Sequence, residues 1–129
     1  MIRCLLDTHA LLWFLESNPH LSEAAKEAIS CEENCVFVSI ASIWELGIKL
    51  NLGKLRLDIE FQQLESELER LNVQVLPVRF HHVEVFSSLQ LIHRDPFDRM
   101  LICQAITDDL VLISKDKKIF KYPRLNRLW

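Results

Sequence analysis

Four carboxylates, Asp7, Glu45, Asp98 and Asp116, lie far apart in the chain, each beside or within an apolar stretch. Asp7 ends the run Ile2-Arg3-Cys4-Leu5-Leu6, and Asp116 follows Leu110-Val111-Leu112-Ile113-Ser114. Glu45 sits inside SIASIWELGIK, and Asp98 lies near the start of DPFDRMLICQA. Acids are rarely buried without a partner. Four of them converging at the ends of buried elements would form an oxygen-ligand pocket for a hard divalent cation. Such an ion lowers the pKa of a bound water and stabilises charge on a phosphate. That is the chemistry of a metal-dependent hydrolase.

The elements that would bring these acids together can be read from the apolar patterning. The run up to Asp7 is a short buried strand, followed by a helix from Thr8 to Glu16 with Leu11, Leu12 and Leu15 at helical spacing. Asn18-Pro19 breaks it, and Ser22 caps a second helix over Glu23 to Ser30. CVFVS, from Cys35 to Ser39, reads as a strand, and Ser42 to Leu52 as a helix closed by Gly53. Ile59 to Leu71 reads as an amphipathic helix with Phe61, Leu64, Leu68 and Leu71 on one face. Strands over Val73–Pro77 and Val111–Ser114 alternate with helices over Phe80–Leu89 and from Asp95-Pro96 to about Thr107. This alternation predicts one α/β domain over residues 1–129 with a mostly parallel sheet. Sites in such sheets form beyond the carboxyl ends of strands, where Asp7 and Asp116 would stand.

Each acid also has an ordinary explanation. Asp7 could simply cap the following helix. Glu45 has Lys49 four residues on, the spacing of a surface ion pair. Asp95 before Pro96 reads as a helix cap. Asp98 could complete a capping arrangement, but Asp98, Leu101, Ile102 and Ala105 share one helix face, which aims the carboxylate toward the core side. Asp116, among Lys115 and Lys117, could be a solvated turn residue. What favours a site is the set: two acids at strand ends and two on helices able to cover those ends. Around them, Thr8, Ser39 and Ser114 could orient acids or waters, and Lys49, Arg94, Arg99 and Lys115 could meet phosphates.

The remaining composition narrows the class. At 129 residues and half hydrophobic, with two glycines and four prolines, the chain is long enough for a sizeable core and is not a disordered or loop-rich scaffold. No apolar run approaches a membrane span, and Asp7 interrupts the stretch a signal peptide would need, so a cytoplasmic protein is expected. Cys4, Cys31, Cys35 and Cys103 form no CxxC pair and read as reduced thiols rather than a zinc site. His81 and His82 read as ordinary surface histidines. The net charge of −3 hides an asymmetry: Lys115 to Trp129 carries six positive residues against Asp116 alone, whereas Glu16 to Glu33 carries five glutamates against Lys26. A basic end beside an acidic pocket suits a phosphate backbone meeting a metal site.

The ordered motifs resemble the PIN domain, and within it the VapC-type toxins of toxin–antitoxin systems, over essentially the whole chain. LLDTHALLW resembles the family's first motif with its acid at Asp7, and SIASIWELGIKLNLGKL the second with Glu45. HRDPFDRMLICQA resembles the third, with Asp98 as the metal-binding acid, and LISKDKKIFKY the fourth with Asp116, Ser114 standing where threonine is frequent. The resemblance implies a three-layer α/β/α fold, a Mg²⁺ or Mn²⁺ site and ribonuclease activity leaving a 5′-phosphate and a 3′-hydroxyl. It also implies a homodimer and a cognate antitoxin partner. An inactive PIN-like module that binds RNA or protein is the main alternative. An aspartyl-phosphate enzyme fits less well, since Asp7 is followed by Thr8 and His9 rather than by a second acid.

Overall fold

The computed structural model describes all 129 residues. Short apolar runs become strands β1 (Arg3–Leu6), β2 (Cys35–Ser39), β3 (Val73–Leu76), β4 (Val111–Ile113) and β5 (Arg127–Leu128). They form one sheet in the order β3-β2-β1-β4-β5, every neighbouring pair parallel. Six helices connect them: α1 (Thr8–Leu15), α2 (Glu23–Ser30), α3 (Ile40–Asn51), α4 (Leu64–Arg70), α5 (Phe80–Ser87) and α6 (Pro96–Thr107).

The pleat sends alternate strand residues to opposite faces. Cys4, Leu6, Val36, Val38 and Ile113 join Leu11, Ala25, Leu46, Leu64 and Leu68 in one apolar cluster. Leu5 and Leu112 join Leu101, Ile102 and Ala105 of α6 in the other. Helices thus cover both faces of the sheet, giving three α/β/α layers. A sheet buried on both sides needs strands apolar on both faces, which is why β1 and β4 read as continuous apolar runs. No helix is long and apolar enough to cross a membrane.

Helix starts explain where the acids fall. Asp7 caps α1, its Oδ1 accepting from Ala10 N at 2.7 Å. Asp95 caps α6, accepting from Phe97 N at 2.8 Å and Asp98 N at 3.2 Å, with Pro96 at the first helical position. Helix α3 begins at Ile40 rather than Ser42, because Ser39 caps it through a bond from Ala41 N at 3.0 Å. Gly53, at φ 71°, follows α3 and its N–H bonds the Leu50 carbonyl, as the closing glycine does.

Several expectations are corrected. The helix read from Ile59 begins with a 3₁₀ turn at Phe61–Gln63 and becomes α-helical only at Leu64. His82 is buried rather than on the surface, because α5 turns it inward to meet Asp108. The basic C-terminal segment packs against the sheet. Ile119, Tyr122 and Leu125 are buried, and Arg127–Leu128 adds a fifth strand beside β4. Its six cationic side chains nonetheless remain exposed. The four thiols are free, with Cys4 and Cys103 buried, Cys35 partly so and Cys31 exposed.

Candidate active site

From β1 the sheet grows through β2 and β3 on one side and through β4 and β5 on the other. The crevice beyond strand ends at such a reversal is where open α/β sheets hold ligands. Asp7 leaves β1 there, and its N–H bonds the Ile113 carbonyl at 3.0 Å, which sets the ends of β1 and β4 side by side. Ser114 and Asp116 follow β4 at the same edge. Helix α3 adds Glu45, and α6 adds Asp98.

Asp7 is buried, and that burial pushes its carboxyl above the ordinary range. The Ser114 hydroxyl, the Ala10 N–H and nearby His9 oppose the rise, while Asp116 adds to it. Asp98 is pushed up to about 7, first by burial and then by the charges of Asp95, Asp7 and Glu45, with His93 opposing. At neutral pH it therefore sits near half protonation. Asp116 behaves differently. Burial raises it, but the His93 imidazole and the Lys118 N–H outweigh that and hold it below the usual range. Asp98 thus feels the charges of Asp7 and Glu45, and Asp7 that of Asp116, although the four come from separate elements.

Glu45 is held on both oxygens. Thr8 Oγ1 donates to Oε1 at 2.7 Å, and Lys49 Nζ lies 3.1 Å from Oε2. Lys49 is therefore partnered with Glu45, as the helical spacing allowed. Ser42 Oγ lies 3.0 Å from Thr8 Oγ1, so a hydroxyl that the sequence did not single out extends this support. Ser39, by contrast, is a buried cap of α3 whose hydroxyl accepts from Ala41 N. Ser114 Oγ accepts from Asp116 N at 3.1 Å, shaping the turn that presents Asp116.

The candidate phosphate contacts divide. Lys115 is exposed beside Trp13, its Nζ 5.9 Å from the ring centre, and Arg94 is exposed as well. Arg99 is not available: it is buried, and its guanidinium donates to the carbonyls of Leu89, Gln90 and His93 at 3.2–3.5 Å. It clamps the loop before α6.

The residue that sequence reasoning missed is His93. It is buried, with Nε2 2.7 Å from Asp116 Oδ2 and 3.3 Å from Asp98 Oδ2. One ligand-type atom from each of these three side chains lies within 4.8 Å of the others. The signal was present in HRDPFD, where His93 precedes the cap Asp95 by two residues. Its meeting with Asp116, 23 positions later, has no local signature. Carboxylate oxygens, one of them on an acid whose charge is suppressed by its neighbours, suit a hard divalent cation that would relieve the crowding.

A family model described as the PIN domain matches residues 4–125. Among curated proteins no sequence matches. Solved structures share the fold at low identity. VapBC2 from Rickettsia felis, bound to a DNA fragment from its promoter, gives a TM-score of 0.71 at 15% identity, covering 99% of this chain and 98% of that one. VapBC-1 from nontypeable Haemophilus influenzae gives 0.65 at 21% identity, covering 99% and 97%. FitAcB from Neisseria gonorrhoeae gives 0.67 at 18% identity, covering 100% and 97%. With its family match running almost from end to end and its acids gathered at the strand-order reversal, the chain belongs to the PIN domain family.

Proposed function

We propose that this protein is a Mg²⁺- or Mn²⁺-dependent endoribonuclease acting as the toxin of a toxin–antitoxin pair. The observation that carries the reading is the gathering of Asp7, Glu45, Asp98 and Asp116 at one sheet edge, with Asp98 pushed up to about 7 by burial and its acidic neighbours. Asp7, Glu45 and Asp98 would be the main metal ligands, direct or through water, with Asp116 as a fourth. A bound ion supplies an activated water and charge stabilisation at the phosphate.

The chain's own residues do the rest. Thr8 and Lys49 fix the two oxygens of Glu45, and Ser114 shapes the Asp116 turn. The exposed lysines and arginines of the segment after β4 attract the RNA backbone, and the exposed Lys115 and Arg94 are candidate phosphate contacts. The expected products carry a 5′-phosphate and a 3′-hydroxyl.

A cognate antitoxin and a homodimer belong to the same proposal. The VapBC neighbours support the first. An apolar groove lined by Ile40, Trp44, Val83, Phe97 and Met100, with Trp44 67% exposed, supports a protein interface.

The test is to sequence RNA ends after brief expression of wild type beside Asp98→Asn. New 5′-phosphate ends in wild type alone are expected. Identical RNA ends in both strains would overturn the reading.

A further inference from the structure

We propose that His93 is a positioning residue of the acid pocket, holding Asp116 by a donated hydrogen bond with Asp98 alongside, and that it is not itself a metal ligand. The inference deepens the metal-dependent reading above and rests on it.

The ring's other nitrogen fixes the tautomer. Nδ1 accepts a hydrogen bond from Asp95 N at 3.1 Å, so Nδ1 carries no proton. A neutral imidazole has one N–H, which must then sit on Nε2. That hydrogen faces Asp116 Oδ2 at 2.7 Å, with Asp98 Oδ2 alongside at 3.3 Å. A cation bound at Nε2 would have to strip this last proton or force Nδ1 off the Asp95 N–H. Asp95 is pinned because it caps α6.

The rest of His93 is equally constrained. Its N–H donates to Tyr122 Oη at 2.8 Å, and its carbonyl accepts from Arg99 Nη1 at 3.2 Å. These bonds fix the backbone that carries the ring, and the Asp95 N–H on Nδ1 sets which edge faces Asp116. Meanwhile Asp116 Oδ1 accepts from Lys118 N at 2.9 Å, so both Asp116 oxygens are oriented by donors before any ion arrives.

In metal sites a carboxylate commonly orients a ligating histidine. Here the order is reversed, and the histidine orients carboxylates. The consequence is a ligand set made of oxygen alone. Such a set favours Mg²⁺ and Mn²⁺, whereas an imidazole ligand suits zinc, copper or nickel.

Two measurements on the full chain test this. In metal-free ¹⁵N-labelled protein, histidine ¹H–¹⁵N correlation spectra should place the His93 proton on Nε2; a proton on Nδ1 would overturn the proposal. In the Mn²⁺-loaded protein, pulsed EPR should detect no directly coordinated nitrogen; a nitrogen coupling that disappears in His93→Gln would also overturn it. Mn²⁺ affinity supplies the rescue test. His93→Leu should weaken binding by about 10- to 100-fold, the usual effect of losing a group that orients ligands. His93→Gln, whose amide can still donate to the carboxylates, should recover most of it. Folded His93→Gln as weak as His93→Leu would contradict the positioning role. If wild type binds no Mn²⁺ while the Nε2–H tautomer is found, the metal-dependent reading fails and the hydrogen bond stands.

Discussion

Two histidines in this molecule are built almost identically, yet only one stands at the candidate active site. His82 accepts from Arg79 N at 2.9 Å on Nδ1 and faces Asp108 Oδ2 from Nε2 at 3.0 Å. His93 accepts from Asp95 N at 3.1 Å and faces Asp116 Oδ2 at 2.7 Å. Both rings are buried, and both fix the chain at a helix start. The difference lies in the company each aspartate keeps. Asp108 ends α6 and answers to one histidine, so that pair pins α5 to α6. Asp116 stands within range of Asp7, and Asp98 within range of Asp7, Glu45 and Asp95. A buried His–Asp pair is therefore structural by default; the crowd of further carboxylates is what makes a site of it.

The largest effect should come from removing a crowding acid. Asp98→Asn or Asp7→Asn should lower metal-dependent RNA cleavage by about 100-fold or more, since ligand loss forfeits several kcal/mol of charge stabilisation at roughly tenfold per 1.4 kcal/mol. The readout is single-turnover cleavage with far-UV circular dichroism as a folding control. Next, the two histidines should separate. His82→Leu leaves the Arg79 N–H and an Asp108 oxygen without their partner and should cost about 1–3 kcal/mol in urea unfolding. It should leave Mn²⁺ affinity unchanged, in contrast to His93→Leu. Equal Mn²⁺ affinities in the two leucine variants would erase the difference between the two histidines.

A smaller effect appears in pH. Asp98 has a folded pKa of about 7, above the roughly 3.9 of an unfolded chain, so the native state holds the proton more tightly. Between these values the unfolded chain binds fewer protons, and stability falls as pH rises. The metal-free protein should lose stability from about pH 4 to about pH 7 through this group and change little through it above that. Thermal melts of Asp98→Asn should show a shallower decline. The smallest effect is expected at Lys49. Its pairing with Glu45 is partly exposed, and Lys49→Ala should change stability by less than about 1 kcal/mol.

The acids were legible in the sequence because their positions depend on local pattern. Asp7 and Asp116 follow apolar runs that had to be strands, and Asp98 shares a helix face with Leu101, Ile102 and Ala105. Asp95 was separable from Asp98 because Pro96 marks a first helical turn. What escaped depends on distant meetings. His82 and His93 acquire their roles from Asp108 and Asp116, 26 and 23 residues away. Arg99 looked free because nothing local shows that it turns inward to three carbonyls. Strand β5 is two residues long and exists through pairing with β4, so Arg127–Leu128 carried no periodicity to read. Three positions separate Ser39, whose hydroxyl caps α3, from Ser42, which lies inside α3 and reaches Thr8.

The most direct test of the acid pocket is calorimetric titration of metal-free protein with Mn²⁺ at pH 7 in two buffers of different ionisation enthalpy, wild type beside Asp98→Asn. Wild type should bind and release a proton, because Asp98 must deprotonate to ligate, while Asp98→Asn should bind at least about tenfold more weakly and release less. Absence of binding by wild type at millimolar Mn²⁺, or equal affinity and proton release in Asp98→Asn, would contradict the metal site.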